Sequence, residues 1–95
     1  MIENWKSRVA SPSDALAPLQ NGMSVFIHGA CASPTPLLEA MVGESRLSDV
    51  TLYHLHVGGE APFAREEHTG RFHSISFFTG PNLRAAVEAG RADFV

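Results

Sequence analysis

Met23-Ser-Val-Phe-Ile-His28 runs directly into Gly29-Ala-Cys-Ala-Ser-Pro-Thr-Pro-Leu37, and the reading of this junction decides the fold. Its first part is short and rich in β-branched and aromatic residues, as a buried strand requires. Small residues follow, and Thr35-Pro36 then offers the proline position that opens a helix. Leu37, Leu38 and Met41 recur at helical spacing and are expected to face inward, with Gly43 ending the helix.

Two units share this plan of strand, glycine, proline, helix and glycine, though residue identity is too low to make them a repeat. Val50-Thr-Leu-Tyr-His-Leu-His-Val57 and Phe72-His-Ser-Ile-Ser-Phe-Phe78 read as two further buried strands. Upstream, Ser11 caps a helix with Pro12 at its first position and Asp14 near the positive end of the dipole, a unit that Gly22 closes. Downstream, Gly80-Pro81 opens a helix that packs Leu83, Ala86 and Val87 and stops at Gly90. Strand, turn, helix, glycine, strand is the βαβ rhythm, so the fold class is α/β: an open, mostly parallel sheet with flanking helices and right-handed crossovers. Gly58 to Arg71 has no apolar periodicity and reads as an exposed loop. Arg91-Ala-Asp-Phe-Val95 begins a new apolar segment, so the chain is expected to be a truncated unit whose sheet leaves apolar faces uncovered.

Composition narrows the function classes. With 44% hydrophobic and 18% charged side chains the chain is an ordinary globular segment, and its net charge of -3 comes with basic residues scattered singly. A nucleic-acid surface needs those residues gathered on one face. One cysteine, Cys31, cannot form an internal disulfide, no apolar leader follows Met1-Ile2-Glu3-Asn4, and no apolar run nears the roughly 20 residues of a membrane span. The expectation is a cytoplasmic protein with no nucleic-acid or membrane partner.

The first loop, His28 to Leu37, is the strongest candidate site. Small side chains let a ligand approach the backbone, free amides at a helix start favour anionic groups, and ligands of open parallel sheets bind beyond the carboxyl ends of the strands. The alternative is a tight turn whose small residues serve packing only. The loop has no Gly-Lys-Ser or Gly-Lys-Thr of a phosphate-binding loop and too few glycines for a dinucleotide fingerprint. Gly29-Ala-Cys-Ala-Ser33 also has the spacing of a nucleophile elbow around Cys31. Pro34 and Pro36 argue against it, since they delay the helix and remove amides that an oxyanion hole would use.

His54 and His56 fall at i and i+2, expected on one face of the second strand, with His28, His68 and His73 as further potential ligands. No cysteine pair or His-Glu-x-x-His accompanies them, so no metal is expected. Glu60, directly after Gly58-Gly59, is either a substrate contact or base, or a solvated carboxylate. Glu66 and Glu67 are expected in solvent, and Arg84 and Arg91 on a helix surface or in ion pairs.

Taken together, Trp5-Lys6, Ser13-Asp-Ala-Leu16, Asn21 to Ile27, Gly29 to Leu38, Phe77-Phe-Thr-Gly-Pro-Asn-Leu-Arg84 and Gly90-Arg-Ala-Asp-Phe94 resemble the amino-terminal region of acetyl-CoA hydrolases and 4-hydroxybutyrate-type CoA-transferases. The resemblance spans nearly the whole chain, and residues 1–95 would be the amino-terminal portion of the first α/β domain. It implies an enzyme with two related α/β halves, a coenzyme A thioester as substrate, no permanently bound cofactor and a short carboxylic acid as partner. A glutamate of the carboxy-terminal half would be the nucleophile, so no catalytic residue is expected in this chain, and a homo-oligomer is expected. By loop position, Gly29, Ala30, Cys31, Ala32, Gly59, Glu60 and Gly80 would line the acyl pocket. A self-contained ligand-binding α/β module and a cysteine hydrolase using Cys31 are the competing readings.

Overall fold

The computed structural model describes residues 5–95; Met1–Asn4, read above as free of an apolar leader, lie outside the described residues. After a 3-10 turn at Trp5–Arg8 come α1 (Pro12–Leu16), β1 (Ser24–Ile27), α2 (Thr35–Gly43), β2 (Val50–His54), β3 (Phe72–Ser76), α3 (Pro81–Glu88) and β4 (Ala92–Phe94). The sheet order is β1-β2-β3-β4 and every pair is parallel. With neighbouring strands joined in sequence order, right-handed crossovers place all connections on one face. That face carries a single core: Leu38 and Met41 from α2, Phe63 from the second crossover and Leu83 from α3 pack on Ile27, Val50, Leu52 and Phe72. Each large side chain buried there contributes about 1.5–3 kcal/mol.

The opposite face stays largely bare. Phe26 is 62% and Phe77 43% exposed, and Tyr53 stacks on Phe77 at 6.4 Å. Burial therefore alternates along β2 and β3, and β1 buries only Ile27 fully, where the sequence reading expected buried strands. The segment at Arg91–Val95 forms β4, which pairs with Ser74–Ser76 and completes a third crossover.

Several boundaries differ from expectation for local reasons. Helix α1 ends at Leu16, not near Gly22: Ala17 keeps helical angles (φ -53°, ψ -37°), but Pro18 behind it has no amide with which to extend the ladder. Gly22, at φ 84°, instead donates its amide to Asp49 O at 2.9 Å and turns the chain into β1. Leu37 is 36% exposed, so the inward face of α2 is Leu38 and Met41. The second crossover is no simple exposed loop. Ala61, Pro62 and Phe63 are buried, and short 3-10 turns form at Pro62–Ala64 and Glu66–His68.

Arg71 closes the amino end of the sheet. Its guanidinium donates to Leu47 O at 3.0 Å, Val42 O at 3.1 Å and Glu44 O at 2.7 Å, and it lies over the Phe72 ring at 4.9 Å. Those carbonyls belong to the end of α2 and the turn after it, groups that lack intrahelical donors. A rigid, multi-donor fork suits them as an ammonium would not.

Candidate functional site

In an all-parallel sheet the segments after β1, β2 and β3 emerge at one end, and here they are tied together. Ala30 N donates to His56 O at 2.5 Å, and Ala30 forms an isolated parallel bridge with Val57. Gly58 N donates to Ser33 Oγ at 2.8 Å. From the third segment, Asn82 Nδ2 donates to Val57 O and Gly59 O, both at 2.8 Å. Pairing thus continues as an isolated bridge past the regular strands, which stop at Ile27, His54 and Ser76, short of their predicted ends.

Close approach accounts for the small residues. A Cβ on Gly29 would sit 2.7 Å from His56 O, so no larger side chain fits without moving backbone. One on Gly58 would meet Ala30 O at 3.1 Å, and one on Gly80 would meet Asn82 Oδ1 at 3.2 Å. Gly29 and Gly80 therefore serve loop packing directly, while Ala30, Cys31, Ala32, Gly59 and Glu60 are exposed at the sheet end. Ala30 has φ 52° and Ala61 φ 49°, a left-handed conformation that costs a residue with a Cβ about 1–3 kcal/mol. Among the described residues, the amides of Cys31, Gly59 and Glu60 donate to no protein acceptor. Small, open and rich in unpaired donors, this surface can take an acyl carbonyl or carboxylate oxygen.

Glu60 Oε2 lies 3.3 Å from Arg65 Nη2, but both side chains are largely in solvent, where such a pair is weak. Cys31 is exposed and precedes α2 by several residues instead of opening it, so elbow geometry is absent. Ser33, Arg71 and Asn82 were not singled out in the sequence; the one available signal is an asparagine directly after the proline that opens α3.

The five histidines disperse. His54 alone of the expected pair lies in β2; it is fully buried beside Phe63 at a ring distance of 5.5 Å, whereas His56, past the strand end, is exposed against Phe78 at 5.0 Å. Both His54 ring nitrogens lack a protein partner, and desolvation holds its pKa below the usual 6.5. His28 packs on Phe26, His68 Nδ1 lies 2.9 Å from Arg71, and His73 Nε2 lies 2.8 Å from Asp93. Among the described residues no three His, Cys, Asp or Glu side chains are grouped to hold a metal ion.

Glu66, Glu67 and Arg84 are exposed, and Arg91 is half-buried with Nε unpaired. Neither Arg84 nor Arg91 joins an ion pair among the described residues. Two cavities of about 430 and 420 Å³ lie elsewhere, one between the second crossover and the end of α3, the other beside Phe78, Arg84 and Phe94. No described helix is long and apolar enough to cross a membrane.

Fold and site together define an open parallel α/β unit that presents a donor-rich surface at the carboxyl ends of its strands, the usual ligand position of such sheets. The chain belongs to the acetyl-CoA hydrolase/transferase family: residues 2–95 match its N-terminal domain. It is 43% identical over 79 residues, 80% of this chain, to succinyl-CoA:acetate/propanoyl-CoA:succinate CoA transferase of Fasciola hepatica, and 25% identical over 93 residues, 97% of this chain, to 4-hydroxybutyrate coenzyme A transferase of Clostridium kluyveri. It spans 16% and 22% of the lengths of those relatives. The fold is also that of RipA from Yersinia pestis, with a TM-score of 0.79 at 20% identity over 90% of this chain and 23% of RipA.

Proposed function

We propose that this chain forms the acyl-pocket portion of an acyl-CoA:carboxylate CoA-transferase or acyl-CoA hydrolase acting on short acyl groups such as acetyl, butyryl, 4-hydroxybutyryl or a small dicarboxylate. The observation that carries it is the coupling of the first two loops, which brings Cys31 and Glu60 to the same sheet end beside unpaired amides of Cys31, Gly59 and Glu60. In this reading coenzyme A enters as the substrate thioester, and no other cofactor is required. As the family resemblance implies, the nucleophile is a glutamate outside this chain; among the described residues the carboxylates are exposed or only half-buried, not in the water-excluded setting that covalent attack requires. The complete enzyme works in the cytoplasm as a homo-oligomer.

The test is acyl transfer by the complete gene product from acetyl-, butyryl- and succinyl-CoA to a panel of short acids, alongside the 95-residue chain alone. Transfer or hydrolysis is expected from the former and none from the latter. No turnover of any thioester by the complete product would overturn the proposal. Turnover by the purified 95-residue chain that scales with its concentration would overturn the placement of the nucleophile.

A further inference from the structure

We propose that Asn82 is a positioning residue for acyl-CoA chemistry at this site: it turns the second loop so that amide hydrogens, and not carbonyl oxygens, face an acyl oxygen. This rests on the function proposed above. A carboxamide NH2 carries two donors, and here both are used on carbonyls two residues apart, Val57 O and Gly59 O at 2.8 Å each. Two carbonyl partners also fix which end of the carboxamide is nitrogen.

In a planar trans peptide the C=O and N–H point in opposite directions. With Val57 O turned toward α3, the Gly58 amide points toward the first loop and finds Ser33 Oγ at 2.8 Å. With Gly59 O turned the same way, the Glu60 amide must point away from α3, and nothing in the described chain accepts from it. One side chain thus sets two peptide planes. The positive φ of Gly59, 80°, and of Ala61, 49°, lets the chain hold this arrangement. An acyl thioester carbonyl gains negative charge when attacked, and donors fixed beforehand stabilise that charge without reorganising. If the peptides turned over, oxygens would face the substrate instead. Asn82 touches no reacting atom in this scheme and acts through the loop.

The experiment compares Asn82→Asp, Asn82→Ala and Asn82→Gln in the complete gene product, reading kcat and KM for acetyl-CoA and the hydrogen exchange of the Gly58 amide. Aspartate keeps the shape but sets an acceptor against two carbonyl oxygens. The expected result is a loss in kcat on the order of 10- to 100-fold for Asp and Ala, with less change in KM and a modest fall in melting temperature, since the part-buried Val57 carbonyl loses its donor. Gly58 should exchange faster in both, and Gln, which keeps the donors, should recover part of kcat. Wild-type kcat in the Asp variant, unchanged Gly58 exchange, or a Gln variant no better than Ala would overturn the proposal. If the wild type turns over no acyl-CoA, the function proposed above fails, and Gly58 exchange alone decides whether Asn82 holds the loop.

Discussion

The two ends of the sheet are held by different chemistry. At the amino end one charged side chain, Arg71, reaches three carbonyls near the end of α2 and covers Phe72, leaving the region stapled and satisfied. At the carboxyl end the clamp consists of short neutral groups, Ser33 and Asn82, and backbone pairs through Ala30. Three amides remain unused there, and Ala30 is held in a left-handed conformation. The first arrangement maximises stability. The second accepts strain and leaves donors open. Removing Arg71 should therefore destabilise the fold, while removing exposed groups at the other end should alter specificity alone.

Arg71→Ala should produce the largest change, a loss of about 2–4 kcal/mol in urea unfolding, because several part-buried carbonyls lose donors together. Arg71→Lys should recover only part of it. A loss below about 0.5 kcal/mol would erase the contrast between the ends. Next, Gly29→Ala should cost about 1–3 kcal/mol, since its Cβ would lie 2.7 Å from a backbone oxygen. An unchanged melting temperature would mean that the two loops separate readily.

His54 gives a smaller, pH-dependent signal in the middle of the molecule. Its folded pKa is depressed below 6.5, so the unfolded chain binds the extra proton first and stability falls as pH drops below about 6.5. Above that value the imidazole is neutral in both states and the effect vanishes. Urea midpoints at pH 5.5 and 7.5 should differ less in His54→Leu than in the wild type; equal differences would place the acid sensitivity elsewhere. Smallest of all, Glu60→Gln and Cys31→Leu should shift stability by no more than about 0.5 kcal/mol, because both side chains are exposed.

The architecture was legible because its signals are local. Strand composition, Pro12, Pro36 and Pro81 at helix starts, and Gly43 and Gly90 at helix ends each report on a few consecutive residues. What stayed hidden depends on partners distant in sequence. Phe63 looks like a lone aromatic in a polar stretch, yet it covers His54 because the crossover folds back over the sheet. Arg71 reads as one scattered cation until α2 ends beside it. At the candidate site the sequence read Gly29 to Ala32 as the loop after β1, where the structure has them, but it could not distinguish packing glycines from exposed positions. That distinction needs the His56 carbonyl opposite Gly29. Ser33 and Asn82 were missed for the same reason: the donor that Ser33 accepts from and the first acceptor of Asn82 each lie 25 residues away, with a further Asn82 acceptor at 23.

The most direct test is kcat/KM for acetyl-, butyryl- and succinyl-CoA in the complete gene product and its Cys31→Leu and Glu60→Gln variants. If the carboxyl-end surface is the acyl pocket, Cys31→Leu penalises butyryl against acetyl by roughly 10- to 200-fold. Glu60→Gln changes the ranking of succinyl against the neutral groups, and both proteins stay folded. Variants that keep the wild-type ranking within about twofold, only ~0.4 kcal/mol, would show that these residues do not line the acyl pocket.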